Sequence, residues 1–180
     1  MSPLEPPGGH FLNAATGWLM LGNAVESRAE FDQIGVELRA HPLVLEFEWR
    51  LLAAEKRWLD AVEASERLLR VCPDDANAWV HRSFALHELQ RTREAFDLLL
   101  SAVKRFPEET IIPYNLACYT CRLDDLPAAR KWLEQALALD HSAEEKLQRL
   151  RAALEDPDLR ALWPELKRRV ASAIADRPLV

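Results

Sequence analysis

Apolar residues recur through most of the chain at intervals of three, four and seven, the spacing of one face of an α-helix. Leu147, Leu150 and Leu154 are an example, and the stretches with this pattern are separated by short polar turns and by prolines. Strand-like runs of Val, Ile and Thr are missing, whereas the helix formers Ala, Leu, Glu and Arg dominate. The pattern predicts an all-α protein built of short amphipathic helices.

Small and large residues of these helices return at a fixed interval. Ala61, Ala95 and Ala129 follow one another at intervals of 34 residues, and Pro73 and Pro107 have the same spacing. A constant interval of this length is the signature of a helical repeat architecture. Each repeat is expected to hold two antiparallel helices, helix A and helix B. The predicted windows are 8–41, 42–75, 76–109 and 110–143.

The third window shows the register most fully. Its large, small and closing residues are Trp79, Ser83, Leu86, Ala95, Leu99, Ala102 and Pro107. Small residues let two helices approach, large ones fill the space between them, and the proline ends helix B. This register resembles the tetratricopeptide repeat (TPR), whose period is 34 residues. The resemblance implies a right-handed superhelical stack of antiparallel helix pairs.

Three features depart from the regular repeat. In the second window, Trp49 stands where the pattern has a small residue, so either its two helices splay or the indole points elsewhere. Residues 1–9, with three prolines and two glycines, are expected to form a disordered lead. Residues 142–180 are expected to form capping helices, since an uncapped repeat array leaves apolar surface exposed.

Composition and charge argue against several classes of function. The net charge is −6 with acids and bases interspersed, which argues against a nucleic-acid surface. No stretch approaches the roughly 18 apolar residues of a membrane span, and the N-terminus lacks the basic region of a signal peptide. Three cysteines are not a secreted disulfide framework, so a cytoplasmic location is expected. Phosphate-binding and hydrolase motifs are missing, so we expect no cofactor and no enzymatic activity.

In TPR proteins, the concave face is lined mainly by particular positions of the A helices, here called inner-face positions. The resemblance therefore implies a protein–protein interaction module or adaptor that binds a peptide or a helix of a partner. The candidate groove residues are Arg50, Asn77, Phe84, His87, Tyr114, Asn115 and Cys118. The lysine needed for the carboxylate clamp of chaperone-binding TPR domains is missing, since the corresponding residues are Leu12, Glu46, Val80 and Tyr114.

Two alternatives stay open. Cys118 and Cys121 lie one helical turn apart, and His87 occupies the inner-face position equivalent to Cys121 in the preceding window. These three residues suggest a zinc- or redox-linked role, although small buried cysteines are common packing residues. The second alternative is a self-associating scaffold that forms a homodimer.

Overall fold

The computed structural model describes residues 4–175, and all of its regular structure is helical. Residues 1–3 of the expected lead and residues 176–180 of the expected cap lie outside the described residues. The chain divides into two compact units, Met1–Gln90 and Arg91–Val180. Within the described residues, no helix combines the length and the hydrophobicity needed to cross a membrane.

The described part of the first unit contains five α-helices and one short 3₁₀ helix. Their bounds are α1 Gly8–Met20, α2 Ala24–Asp32, the 3₁₀ helix Val36–Leu38, α3 Pro42–Ala54, α4 Trp58–Val71 and α5 Ala76–Glu88. Neighbouring helices pack in chain order, and α3 also contacts α1 and α5. The start of the chain differs from the expected lead, because α1 already begins at Gly8 and Leu4 packs against the core.

The described part of the second unit also contains five α-helices and one 3₁₀ helix. Their bounds are α6 Thr92–Ala102, α7 Ile111–Arg122, α8 Leu126–Ala138, α9 Ala143–Glu155, the 3₁₀ helix Pro157–Leu162 and α10 Trp163–Ala175. The last 3₁₀ helix packs mainly on α7, with the side chains of Leu159 and Leu162 buried. We call residues 156–162 the covering segment.

The small residues at the 34-residue interval are all fully buried. Ala61, Ala95 and Ala129 have no exposed surface, and neither has Ser27, which lies one interval before Ala61. The Ser27 hydroxyl donates a hydrogen bond of 2.8 Å to the Ala15 carbonyl of α1, so this polar side chain is satisfied at a close helix contact. The periodic positions are therefore packing positions.

The backbone repeats with the same interval. Gly22, Lys56, Gln90 and Asp124 each have a positive φ, between 55° and 76°, directly after a helix A. A left-handed residue at this place lets the following amides bond back to the last carbonyls of the helix. The Arg57 amide, which follows Lys56, donates to the Leu52 carbonyl at 2.9 Å. Every described A-to-B connection thus turns in the same way, although only the first uses glycine.

The fourth window closes differently from the second and third. Where those windows end near Pro73 and Pro107, the fourth has Asp140, whose buried carboxylate binds the Arg149 guanidinium of α9 at 2.6 Å. The next helix begins at once, because the Ser142 hydroxyl accepts a hydrogen bond from the Glu145 amide. An ion pair and a helix cap replace the proline at this end of the repeat series.

Candidate functional site

Two candidate groove residues of the first unit lie at the surface. Arg50 on α3 and Asn77 in the first turn of α5 are both exposed. The Arg50 guanidinium forms no ion pair within residues 4–175, and a guanidinium offers five N–H donors. The Asn77 backbone amide is held by the Asp75 carboxylate, which caps α5 and leaves the Asn77 side chain exposed. These two side chains are available to a ligand.

Beside them lies a compact cluster between α3 and α5. Nε2 of His81 is 2.9 Å from both carboxylate oxygens of Glu46. The same imidazole stacks on Trp49, with ring centroids 3.7 Å apart and planes inclined by 9°. Trp49 therefore points toward α5, which resolves the choice left open by its place at a small-residue position. The indole links consecutive A helices.

Phe84 is half-buried at the edge of this cluster. Its ring makes edge-to-face contacts with two indoles, with centroids 6.3 Å from Trp49 and 5.7 Å from Trp58. Such tilted contacts are favourable arrangements of aromatic rings. Phe84 thus has a packing role, and only part of its ring is left for a ligand. His87, further along α5, is buried.

In the second unit, the equivalent residues of α7 are covered. The Tyr114 hydroxyl donates a hydrogen bond of 3.0 Å to Oδ2 of Asp156, and Sγ of Cys118 lies 3.5 Å from the same oxygen. Cys118 is only 3% exposed, whereas Tyr114 and Asn115 are half-buried. The covering segment therefore occupies the surface of α7 on which a ligand was expected, and Cys118 is not accessible to one.

Burial also changes the pKa values of side chains on α7. Desolvation, together with the neighbouring Cys118 and Asp156, raises the pKa of the Tyr114 hydroxyl. Desolvation and the Asp156 carboxylate likewise raise the pKa of the Cys118 thiol well above its usual value. Burial also raises the pKa of Cys121. All three groups stay protonated at neutral pH.

This state bears on the zinc- and redox-linked alternative for Cys118 and Cys121. A thiolate is the form that binds metal and attacks disulfides, and burial raises the pKa of both thiols. Within the described residues, His, Cys, Asp and Glu form no group of three or more with the geometry to hold a metal ion. The positions of the two cysteines are explained by packing on α7 beneath the covering segment.

The helix pairs, the buried small residues and the repeated left-handed turns together indicate the fold. A TPR protein from Thermus thermophilus has a similar structure, with a TM-score of 0.67 over 93% of this chain and 99% of that chain, at 20% identity. The chain has the tetratricopeptide-repeat fold.

A MamA fragment (41-end) from Desulfovibrio magneticus RS-1 shares this TPR fold, with a TM-score of 0.70 over 97% of this chain and 99% of that one, at 15% identity. Another MamA structure gives 0.69 over 96% and 97%, at 13% identity. The sequence matches no protein-family model and no curated protein. Similarity at this level is structural and does not extend to a ligand.

Two features of the candidate site were missed from the sequence. Glu46 and His81 are separated by 35 residues, one repeat plus one, so the repeat interval was a usable signal for their contact. The contact between Tyr114 and Asp156 spans 42 residues and follows no interval of the repeat. Only the three-dimensional path of the chain after α9 brings Asp156 to α7.

Proposed function

We propose that the protein is a non-enzymatic interaction module, which binds an extended peptide or a helix of a partner protein through inner-face residues of α3 and α5. The observation that carries the proposal is the exposure of Arg50 and Asn77 beside an aromatic cluster in a TPR fold. The free guanidinium of Arg50 and the amide of Asn77 offer donors and acceptors to a peptide backbone or a carboxylate. The half-buried ring of Phe84 offers an apolar contact.

The surface is also preorganised. Trp49, His81 and Glu46 fix α3 against α5 through ring stacking and a charge-assisted contact. A rigid surface loses little conformational entropy when it binds, so more of the interaction free energy contributes to affinity. Of the other candidate residues, Asn115 keeps partial access, whereas His87, Tyr114 and Cys118 serve mainly in packing. We propose a cytoplasmic location as well, since all three cysteines are free thiols.

A selection from a displayed peptide library against the full chain tests this function. Peptides that bind the wild-type protein should lose at least tenfold in affinity for the Arg50→Glu variant, because a repelling charge replaces the donor group. The matched control is Arg70→Glu, which makes the same charge change at an exposed position of α4. The groove assignment fails if no peptide is selected, or if both variants bind equally well.

A second candidate, the self-associating scaffold, is favoured by a separate feature. Met20, Leu21 and Val25 are 78%, 77% and 77% exposed at the connection between α1 and α2, and residues 11–25 carry no charge. Exposed apolar groups of this kind mark protein contacts. We propose that two copies pair through this connection. Light scattering of the wild type and of Leu21→Ser separates the candidates, because only a self-associating protein changes its mass.

A further inference from the structure

A cleft opens between three helices of the second unit. Its volume is about 720 Å³, within the roughly 300–1,000 Å³ that small-molecule sites occupy. Most of the side chains that line it are apolar. The lining residues from α8, α9 and α10 are Glu134, Leu137, Ala138, Ala143, Lys146, Leu147, Leu150, Arg169, Ser172 and Ala173. None of the inner-face residues discussed above contributes to it.

The floor of the cleft is already a rigid part of the core. Leu137, Leu147 and Leu150 are each at most 6% exposed, so their positions are fixed by packing. Alanines complete the walls, and their short side chains leave the space open. A cleft with fixed apolar walls suits an apolar chain, because binding removes apolar surface from water without ordering the protein.

The side chains that line the cleft carry more positive than negative charge. Glu134 and Arg169 form an ion pair between α8 and α10, so their charges offset each other. Lys146 on α9 is exposed and forms no ion pair in the described part of the chain. The cleft therefore carries one unmatched positive charge, although the whole protein has a net charge of −6.

The α10 wall is held in place by ion pairs. Besides the Glu134–Arg169 pair, the Arg130 guanidinium of α8 binds the Glu165 carboxylate of α10 at 2.8 Å. The two pairs have opposite polarity and lie one helical turn apart on each helix, so both of them join α10 to α8 across the cleft.

We propose that this cleft binds a free single-chain carboxylate amphiphile of the fatty-acid type. The hydrocarbon chain lies between the alanine walls, over the leucine floor, and the carboxylate pairs with the ammonium group of Lys146. The chemistry follows from the two properties of the cleft, an apolar interior and one unmatched cation. The proposal is independent of the peptide groove on α3 and α5.

The apolar interior is tested by calorimetric titration of the full chain with unbranched fatty acids. The acids have about eight to about sixteen carbons and are used below their micelle concentrations. Each added methylene should tighten binding about fourfold until the cleft is filled, after which the affinity stops rising. Alcohols of the same chain length are the comparison for the head group and should bind about fivefold more weakly. Absence of binding at every chain length overturns the proposal.

Paired variants locate the site. Ala138→Trp fills the cleft and should weaken binding more than tenfold, whereas Ala171→Trp, at an exposed position of α10 outside the lining, should leave it unchanged. Lys146→Gln should remove the preference for the acid over the alcohol, and Lys167→Gln should keep it. Circular dichroism checks that each variant is folded. Equal affinities of the two tryptophan variants, or an unchanged preference for the acid in Lys146→Gln, overturn the assignment.

Discussion

The same inner-face position is exposed in the second repeat and buried in the fourth. Arg50 and Cys118 are both the ninth residue of their windows, yet Arg50 is exposed to water and Cys118 is buried under the covering segment. The fifth residues differ similarly. Glu46 contacts His81 of the next A helix, whereas the Tyr114 hydroxyl binds Asp156 of the covering segment.

This difference shows that the repeat register predicts where a side chain lies on its helix, but not whether that side chain is exposed or buried. The element that packs next to each A helix decides whether the position meets a ligand or completes the core. In the first unit that element is α5, another A helix, which leaves Arg50 open. In the second it is a short 3₁₀ helix that inserts Leu159 and Leu162. The register alone therefore does not separate an exposed position such as Arg50 from a buried one such as Cys118.

The largest expected effect comes from weakening the covering segment. Leu159→Ala removes a fully buried side chain and should lower the free energy of unfolding by about 3 kcal/mol, because transfer and cavity terms add. The exposed Leu59→Ala should change it by less than about 0.5 kcal/mol. Urea denaturation followed by circular dichroism measures both. Equal values would show that the segment is not part of the core.

Thiol reactivity gives the next contrast. Cys72 is half-exposed, whereas Cys118 and Cys121 are buried. In folded protein, Ellman's reagent should modify Cys72 at least about a hundredfold faster than the other two, because the reagent reaches an accessible thiol far more readily than a buried one. Three equally fast thiols would mean that the covering segment opens readily.

The same thiols predict a dependence of stability on pH. The pKa of Cys118 and of Cys121 is raised in the folded state, so the folded protein keeps protons that the unfolded chain releases. The contribution of the two thiols to the free energy of unfolding is fully present below the unfolded thiol pKa of about 8.5. It is lost as the pH rises through the pKa values of the thiols in the folded protein. Urea titrations at several alkaline pH values should therefore show a decline, and Cys118→Ala should reduce its slope.

A smaller effect is expected for the hydrogen bond that joins α7 to the covering segment. Tyr114→Phe and Asp156→Ala, made singly and together, should give a coupling free energy of about 1 kcal/mol, because one buried bond is lost only once. The control cycle pairs Tyr114→Phe with Asp158→Ala and should be nearly additive. A coupling near zero in the first cycle would separate Tyr114 from the covering segment.

The smallest effect is expected on the open face of the first unit. Arg50→Ala and Asn77→Ala should each change the free energy of unfolding by less than about 0.5 kcal/mol, because neither side chain is buried or paired. Their thermal unfolding midpoints should match that of the wild type. A large loss of stability in either variant would give that residue a packing role and weaken its assignment to a binding surface.

The periodic part of the fold was predictable because it follows from local rules. Ala61, Ala95 and Ala129 indicate close helix contacts, and these positions are buried. The prediction of an all-α repeat fold of TPR type is confirmed by the helical structure and by its similarity to known TPR structures. The register could therefore be predicted from the sequence.

The candidate site was less predictable, because it depends on contacts that have no period. Asp156 follows the last regular repeat, and the hydrogen bond that it accepts from Tyr114 depends on how the chain turns after α9. The packing of Trp49 against His81 was likewise one of two choices that the sequence left open. The side chains at the ends of a repeat series are set by unique contacts rather than by the repeat.

The recurring left-handed turn has a consequence for how such a chain grows or shrinks. Gly22, Lys56, Gln90 and Asp124 place the backbone in one conformational state at the same phase of every window. A duplication or deletion of 34 residues, or of a multiple of 34, between two such points joins ends of matching backbone geometry, whereas other lengths leave a mismatched junction. We therefore expect changes in the length of this chain to be tolerated best in whole repeats.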